Sequence, residues 1–219
     1  MRKPLAAATL LLVFFVVTDF GQQPSKEPSK TNARPVEPKA AAAKSEPFDG
    51  ADVKKMASQC VTLDTEAGQI ALEMYPEHAP ESARNFLNLA ATGLLDTTTF
   101  SRVVPGFVIQ GGDLNTREGK ITYEIAMRAR KIVPDEPNKI MHQRGVISMA
   151  RGDEPNSATT HFFILVSDAP TLDGKFAAFG RVTKGMETVD AINKASVANE
   201  KPDKPVRIKK ATVAACAAL

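Results

Sequence analysis

Apolar and polar positions alternate through Gln69-Ile70-Ala71-Leu72-Glu73-Met74-Tyr75, which puts Ile70, Leu72 and Met74 on one face and Ala71, Glu73 and Tyr75 on the other. That period of two is the pattern of a half-buried strand, and Gly68 marks a turn before it. The period changes at Pro80. Ala83, Phe86, Leu87 and Ala90 then recur at helical spacing, behind a proline and an acid in the first turn and ahead of Gly93, so Pro80 to Ala90 is expected to form an amphipathic helix. Gly145–Ala150, Phe162–Val166 and Ala178–Val182 read as short strands, and Met186, Val189 and Ile192 line one side of a second helix over about 186–195. Ala211 to Cys216 is the last strand. Many short strands separated by turn residues, with only two helices far apart, predict a mainly β fold closing into an antiparallel barrel rather than a parallel sheet. No internal repeat is present.

The first 56 residues follow a different rule. Arg2 and Lys3 precede a stretch from Pro4 to Thr18 without a charge, a pattern of exported chains. The run is shorter than the roughly 20 residues that span a bilayer, and Asp19-Phe20-Gly21 has no small-x-small pair, so residues 1–20 read as a signal peptide or signal anchor. Residues 21–56, rich in Pro, Lys, Ala and Glu, have few large apolar side chains to offset chain entropy and are expected to form a disordered tether. The folded domain is then 57–219. The expected location is periplasmic or otherwise extracytoplasmic, with membrane attachment only through an uncleaved anchor.

Composition adds mainly exclusions. The chain has 219 residues and a net charge of +3, and its Lys and Arg are spread along it, so a nucleic-acid partner is not expected. Gly111-Gly112 lacks the following Lys-Ser or Lys-Thr of a phosphate cradle. Ser157, Thr159 and Thr160 near His161 raise a hydrolase reading, which the absence of a glycine-flanked nucleophile argues against.

The chemistry concentrates in Phe100-Ser101-Arg102-Val103-Val104-Pro105-Gly106-Phe107-Val108-Ile109-Gln110-Gly111-Gly112-Asp113. Alternation would place Phe100, Arg102 and Val104 on one face. An arginine among apolar neighbours is costly unless it is paired or lines a wet cavity. The strand alone leaves a structural ion pair and a ligand-binding role both open. Two later segments add to it: Gly145–Arg151 followed by Asn156–Ile164, and Leu172-Asp173-Gly174-Lys175-Phe176-Ala177-Ala178-Phe179-Gly180-Arg181-Val182. The three together, in this order, resemble the signature of the cyclophilins, the peptidyl-prolyl cis-trans isomerases, and the similarity runs from about Ala57 to Leu219.

The resemblance implies an eight-stranded barrel with an α-helix over each open end and a groove on its outer face. The implied reaction is rotation about X-Pro bonds of polypeptide substrates, aiding the folding of exported proteins. That rotation faces a barrier of about 18–20 kcal/mol and needs no nucleophile, metal or cofactor, only a site that favours the twisted amide. As the amide twists, its nitrogen regains a lone pair. Arg102 corresponds to the donor that stabilises it and Gln110 to the amide that holds substrate or arginine, with Phe107 completing the catalytic set. Val108, Phe163, Leu172 and Phe176 correspond to the walls of the proline pocket with Phe107. Met149, Ala150 and Arg151 correspond to the segment beside the residues preceding proline, and His161 to a donor in the groove. Phe162 and Phe163 must face opposite ways, leaving Phe163 as the pocket residue.

Several positions depart from the family pattern. Thr171 stands where many cyclophilins carry tryptophan, Phe176 replaces a frequent histidine, and His161 a usual glutamine, which introduces a titratable group. The loop after Asp113 is bulkier than usual and ends in Arg128, Arg130 and Lys131, which suggests acidic residues near the substrate proline or, equally, a solvated loop. The only two cysteines, Cys60 and Cys216, fall on the presumed first and last strands, which a barrel brings together. A disulfide between them and two free thiols both remain open, because register is not readable from sequence. The rival function is a non-catalytic proline-peptide binding module or holdase on the same fold, which would need the pocket but not the arginine. A monomer is expected.

Overall fold

The computed structural model describes residues 45–216; the expected signal segment, 1–20, and the tether up to residue 44 lie outside them. In chain order the elements are α1 (Val53–Ala57), β1 (Gln59–Thr65), β2 (Gly68–Met74), α2 (Pro80–Ala91), β3 (Arg102–Val104), β4 (Val108–Gly111), α3 (Tyr123–Arg128), β5 (Val146–Met149), β6 (Phe162–Leu165), β7 (Ala178–Lys184), α4 (Met186–Asn193), β8 (Val197–Ala198), β9 (Lys201–Pro202) and β10 (Ile208–Ala215). Short 3-10 turns lie at Leu114–Thr116 and Pro170–Leu172. Eight strands form one antiparallel sheet in the order β10-β1-β2-β7-β5-β6-β4-β3.

The sheet curls but does not close as a full barrel. Its edge strands, β10 and β3, share no ladder. Instead the segment entering β3 is stitched across the seam: Thr97 N–H donates to Ile208 O at 2.8 Å, Ile208 N–H to Thr98 O at 2.8 Å, and Phe100 N–H to Val206 O at 2.9 Å. This crossing also corrects the expected alternation. Phe100 precedes the strand and turns inward, fully buried with Val103, whereas Arg102 and Val104 face out and are half-buried.

Inside the curl four phenylalanines meet. Phe86 of α2 stands edge-on to Phe162 with ring centres 5.1 Å apart and lies 5.3 Å from Phe179, and Phe100 meets Phe162 at 6.2 Å. Burying a ring of this size stabilises by about 1.5–3 kcal/mol. α2 packs against β7 and β10, and α4 against β2, β3 and β4. The first turn of α2 has no side-chain cap at Ala79. The Glu136 carboxylate supplies one from a distant loop, accepting from the N–H groups of Glu81 and Ser82 at 2.9 and 2.8 Å and from the Ser82 hydroxyl at 2.7 Å. Negative charge there also complements the helix dipole.

Residues 45–56 are not part of a disordered tether. Phe48 and Met56 are buried, the Phe48 N–H donates to Asn88 Oδ1 at 2.7 Å, and Arg84 Nη1 donates to the carbonyls of Phe48 and Ala51. The composition of this stretch is polar, but two apolar side chains and the satisfied backbone suffice to dock it on α2. Glu46 extends the same contact to Arg128, whose Nε lies 2.6 Å from Glu46 Oε1 while Nη2 donates to Asn85 Oδ1. Arg128 is therefore an internal tie, not a basic residue offered to substrate. Cys60 and Cys216 are disulfide-bonded, with Cα atoms 4.8 Å apart.

Candidate functional site

Strand register builds the outer face of the sheet. Arg102 pairs with Gln110, Gln110 with Phe163, Phe163 with Ser148, and Ser148 with Ala178, so five side chains on five strands form one row. Because side chains two apart on a strand share a face, Val104, Val108, Leu165 and Val146 lie in the neighbouring row. At one end of the first row Arg102 Nη1 donates to Gln110 Oε1 at 3.2 Å, and Arg102 Nε donates to Glu200 Oε2 at 2.7 Å. Beside this pair opens a cleft of about 150 Å³, lined by Arg102, Phe107, Val108, Gln110, Ala150, Arg151, Phe163, Leu172 and Phe176. Nine of the eleven residues expected at the groove converge there.

The two exceptions have simple causes. Met149 is buried in the inner core and pairs across the sheet with Phe162, so period two turns it away from the cleft that its neighbour Ala150 lines. His161 is half-buried and does not line the cleft; its carbonyl accepts the Ala150 N–H at 3.0 Å. Burial holds the His161 imidazole below its usual pKa, against the opposing pull of Asp113, so it is neutral at pH 7. As expected, Phe162 points into the core and Phe163 into the pocket.

Phe107 is placed by a turn that the sequence specifies and a helix fastens. Pro105-Gly106, with Gly106 at φ 72°, suits the central residues of a type II turn. Asn193 at the end of α4 then binds both arms: its Oδ1 accepts the Gly106 N–H at 2.8 Å, and its Nδ2 donates to Val104 O and Val108 O at 2.9 and 3.0 Å. Helical spacing puts Asn193 on the same face of α4 as Met186 and Val189, but does not say which carbonyls it binds. Gly112 serves close packing: a Cβ there would sit 2.2 Å from Thr160 O.

Behind the pocket lies a chain that sequence reading missed. His142 Nδ1 is 3.1 Å from Asp173 Oδ1, and His142 Nε2 is 3.2 Å from the Ser148 hydroxyl. The order is that of a serine hydrolase, but the setting is not. Ser148 is fully buried and His142 is 1% exposed, so no substrate reaches the hydroxyl. With the carboxylate accepting from Nδ1, Nε2 accepts from Ser148. Burial lowers the His142 pKa more than Asp173 raises it, which keeps the ring neutral. The imidazole stacks on Phe163 with 6.5 Å between centres and 25° between planes. Asp173 also accepts the His142 N–H at 2.6 Å, anchoring the turn that carries Leu172.

On the far wall Arg151 lies 4.9 Å over the Phe176 ring, and Phe176 stands edge-on to Phe163 at 6.0 Å. Asp135 approaches Arg151 Nε at 3.7 Å. The site thus joins an apolar hollow to a guanidinium tied by Gln110 and Glu200, a shape suited to a small apolar ring with a polar group beside it. Among the described residues no cluster of His, Cys, Asp or Glu could hold a metal ion, and no helix is long and apolar enough to cross a membrane.

Comparison with known proteins fits this arrangement. The pattern of the family described as cyclophilin type peptidyl-prolyl cis-trans isomerase/CLD matches residues 60–213. The peptidyl-prolyl cis-trans isomerase cypE of Dictyostelium discoideum is 40% identical over 160 residues, covering 72% of this chain and 99% of its own length. Peptidyl-prolyl cis-trans isomerase A of the bacterium Dickeya dadantii is 36% identical over 165 residues, covering 70% and 83%. A crystal structure of a Cryptosporidium parvum cyclophilin, determined in the presence of the dipeptide Ala-Pro, superposes with a TM-score of 0.62 at 31% identity, covering 71% of this chain and 99% of that one.

Proposed function

The chain belongs to the cyclophilin type family of peptidyl-prolyl cis-trans isomerases, and from that membership we propose how its cleft rotates an X-Pro bond. Isomerase activity is the activity of the family, and this chain carries it. The hollow formed by Phe107, Val108, Phe163, Leu172 and Phe176 holds the proline ring. Ala150 and Arg151 border the residues that precede it. Arg102 donates to the proline nitrogen as it loses conjugation, and Gln110 fixes the guanidinium plane for that encounter. A donor aimed at charge that develops only in the twisted state lowers the barrier without deepening the ground state.

The observation that carries this reading is the 3.2 Å bond from Arg102 to Gln110 at the lip of an apolar cleft. A binding module would need the hollow alone. Loss of one preorganised donor of this kind costs about 10²–10³ in rate, so Arg102→Ala should lower catalysed exchange of an Ala-Pro peptide by that factor while peptide affinity changes little. Rates near the uncatalysed background for wild type and variant alike would favour the binding module, and full activity of both would remove Arg102 from the catalytic role. The charge-free stretch behind Arg2 and Lys3 supports export, and with it a role in folding proteins outside the cytoplasm. Secretion of a reporter fused to residues 1–56 tests that part, and a reporter retained inside the cell would refute it.

A further inference from the structure

Arg102 has a second partner that its catalytic role does not require. Glu200 sits at the tip of the β8–β9 hairpin and reaches the β3 edge twice: its carbonyl accepts the Val103 N–H at 2.8 Å and its carboxylate takes Arg102 Nε at 2.7 Å. The hairpin turn is Asn199-Glu200, with φ values of 51° and 65°. Positive φ at both residues is the type I′ signature, for which Asn-Gly is the favoured pair. Asn199 fits. Glu200 occupies the position where glycine would be unstrained, so the chain keeps a side chain where the backbone disfavours one. Strain of this sort points to a use for that side chain.

The ion pair is a poor stabiliser, since its partners are 40% and 49% exposed. Its geometry is informative instead. With Nε taken by Glu200 and Nη1 by Gln110, two ties on two sides of a planar group fix both its position and its rotation. Nη2 makes no hydrogen bond among the described residues and is left as the free donor edge beside the cleft. We propose that Glu200 is a positioning residue for catalysis, holding Arg102 so that this edge meets the twisting amide. The inference rests on the catalytic reading of Arg102. Glu200 touches no substrate and acts only through the guanidinium.

The test compares wild type, Glu200→Gln, Glu200→Gly, Arg102→Ala and the Arg102→Ala/Glu200→Gly double variant, measuring catalysed exchange of a saturating Ala-Pro peptide, its affinity, and the melting temperature. Glu200→Gly should lower the catalysed rate about three- to tenfold, with affinity held within twofold and melting temperature unchanged or raised, because glycine relieves the turn. Glu200→Gln, whose amide oxygen can still accept from Nε, should recover part of that loss. In the Arg102→Ala background Glu200→Gly should change nothing further, since the group it positions is gone. Wild-type turnover by Glu200→Gly would overturn the proposal, and so would a rate loss that tracks a fall in affinity or melting temperature. If Arg102→Ala turned over as wild type, the catalytic reading of Arg102 would fail first; an impaired Arg102→Ala beside an intact Glu200→Gly would remove the role of Glu200 alone.

Discussion

Replacing both cysteines with alanine should lower stability by about 5 kcal/mol and leave the isomerase rate untouched. The figure follows from the span of the bridge. Cys60 and Cys216 are 156 residues apart, and the chain-entropy relation for a loop of that length gives about 5 kcal/mol at 25 °C. This stabilisation acts on the unfolded chain, so the native strands should hold without it: β1 and β10 remain paired from Gln59–Ala215 to Thr65–Ile208, and β2 holds the other edge of β1. Neither sulfur lines the cleft. For a domain of this size each kcal/mol moves the melting temperature by about 2–4 °C, which predicts a fall of roughly 10–20 °C. Urea titration of oxidised wild type and the double variant measures the difference directly. The variant should also show a steeper denaturant slope, since an unbridged unfolded chain exposes more surface. Midpoints and slopes that coincide would refute the unfolded-state argument, and a native-condition loss of peptide exchange would show that the bridge shapes the site.

Two further outcomes follow from the packing. His142 and His161 both have pKa values lowered by burial, so between those values and the ordinary value near about 6.5 the unfolded chain binds more protons than the folded one. Stability is then complete above about pH 6.5, declines as pH falls toward the lowered values and levels off below them; melting temperatures from pH 7.5 to 5 should show the decline, and a flat series in that window would contradict it. Phe48→Ala should cost about 3 kcal/mol by undocking the segment from α2, with little effect on turnover, and a melting temperature equal to wild type would mean that residues 45–56 add nothing to the fold.

What the sequence made legible was local. Pro80 with its 3.6 period specified α2 almost to the residue, and period two separated Phe162 from Phe163. The same rule misplaced Phe100, because the seam crossing at Thr97–Phe100 interrupts the strand before alternation applies. Met149 parts from its neighbours Ala150 and Arg151 for a different reason: alternation along β5 sends it to the core. The docking of 45–56 was hidden by composition, since the carbonyls of Phe48 and Ala51 matter as much as the side chains. Ser148, His142 and Asp173 could not be linked in advance, because only the pairing of β5 with β6 and the turn at 170–172 bring three separated positions behind one phenylalanine. Glu200 is the extreme case, 98 residues from the arginine it holds.

The neighbourhood of β1 and β10 has a consequence for the order in which the protein can be made. β2 can pair with β1 as soon as residue 74 is available, but the other edge of β1 faces β10, which ends at Ala215. During synthesis that edge stays open until β10 has been made, and an unpaired strand edge invites pairing with other chains. Loss of β10, by a premature stop or by proteolysis, therefore uncovers β1 as well.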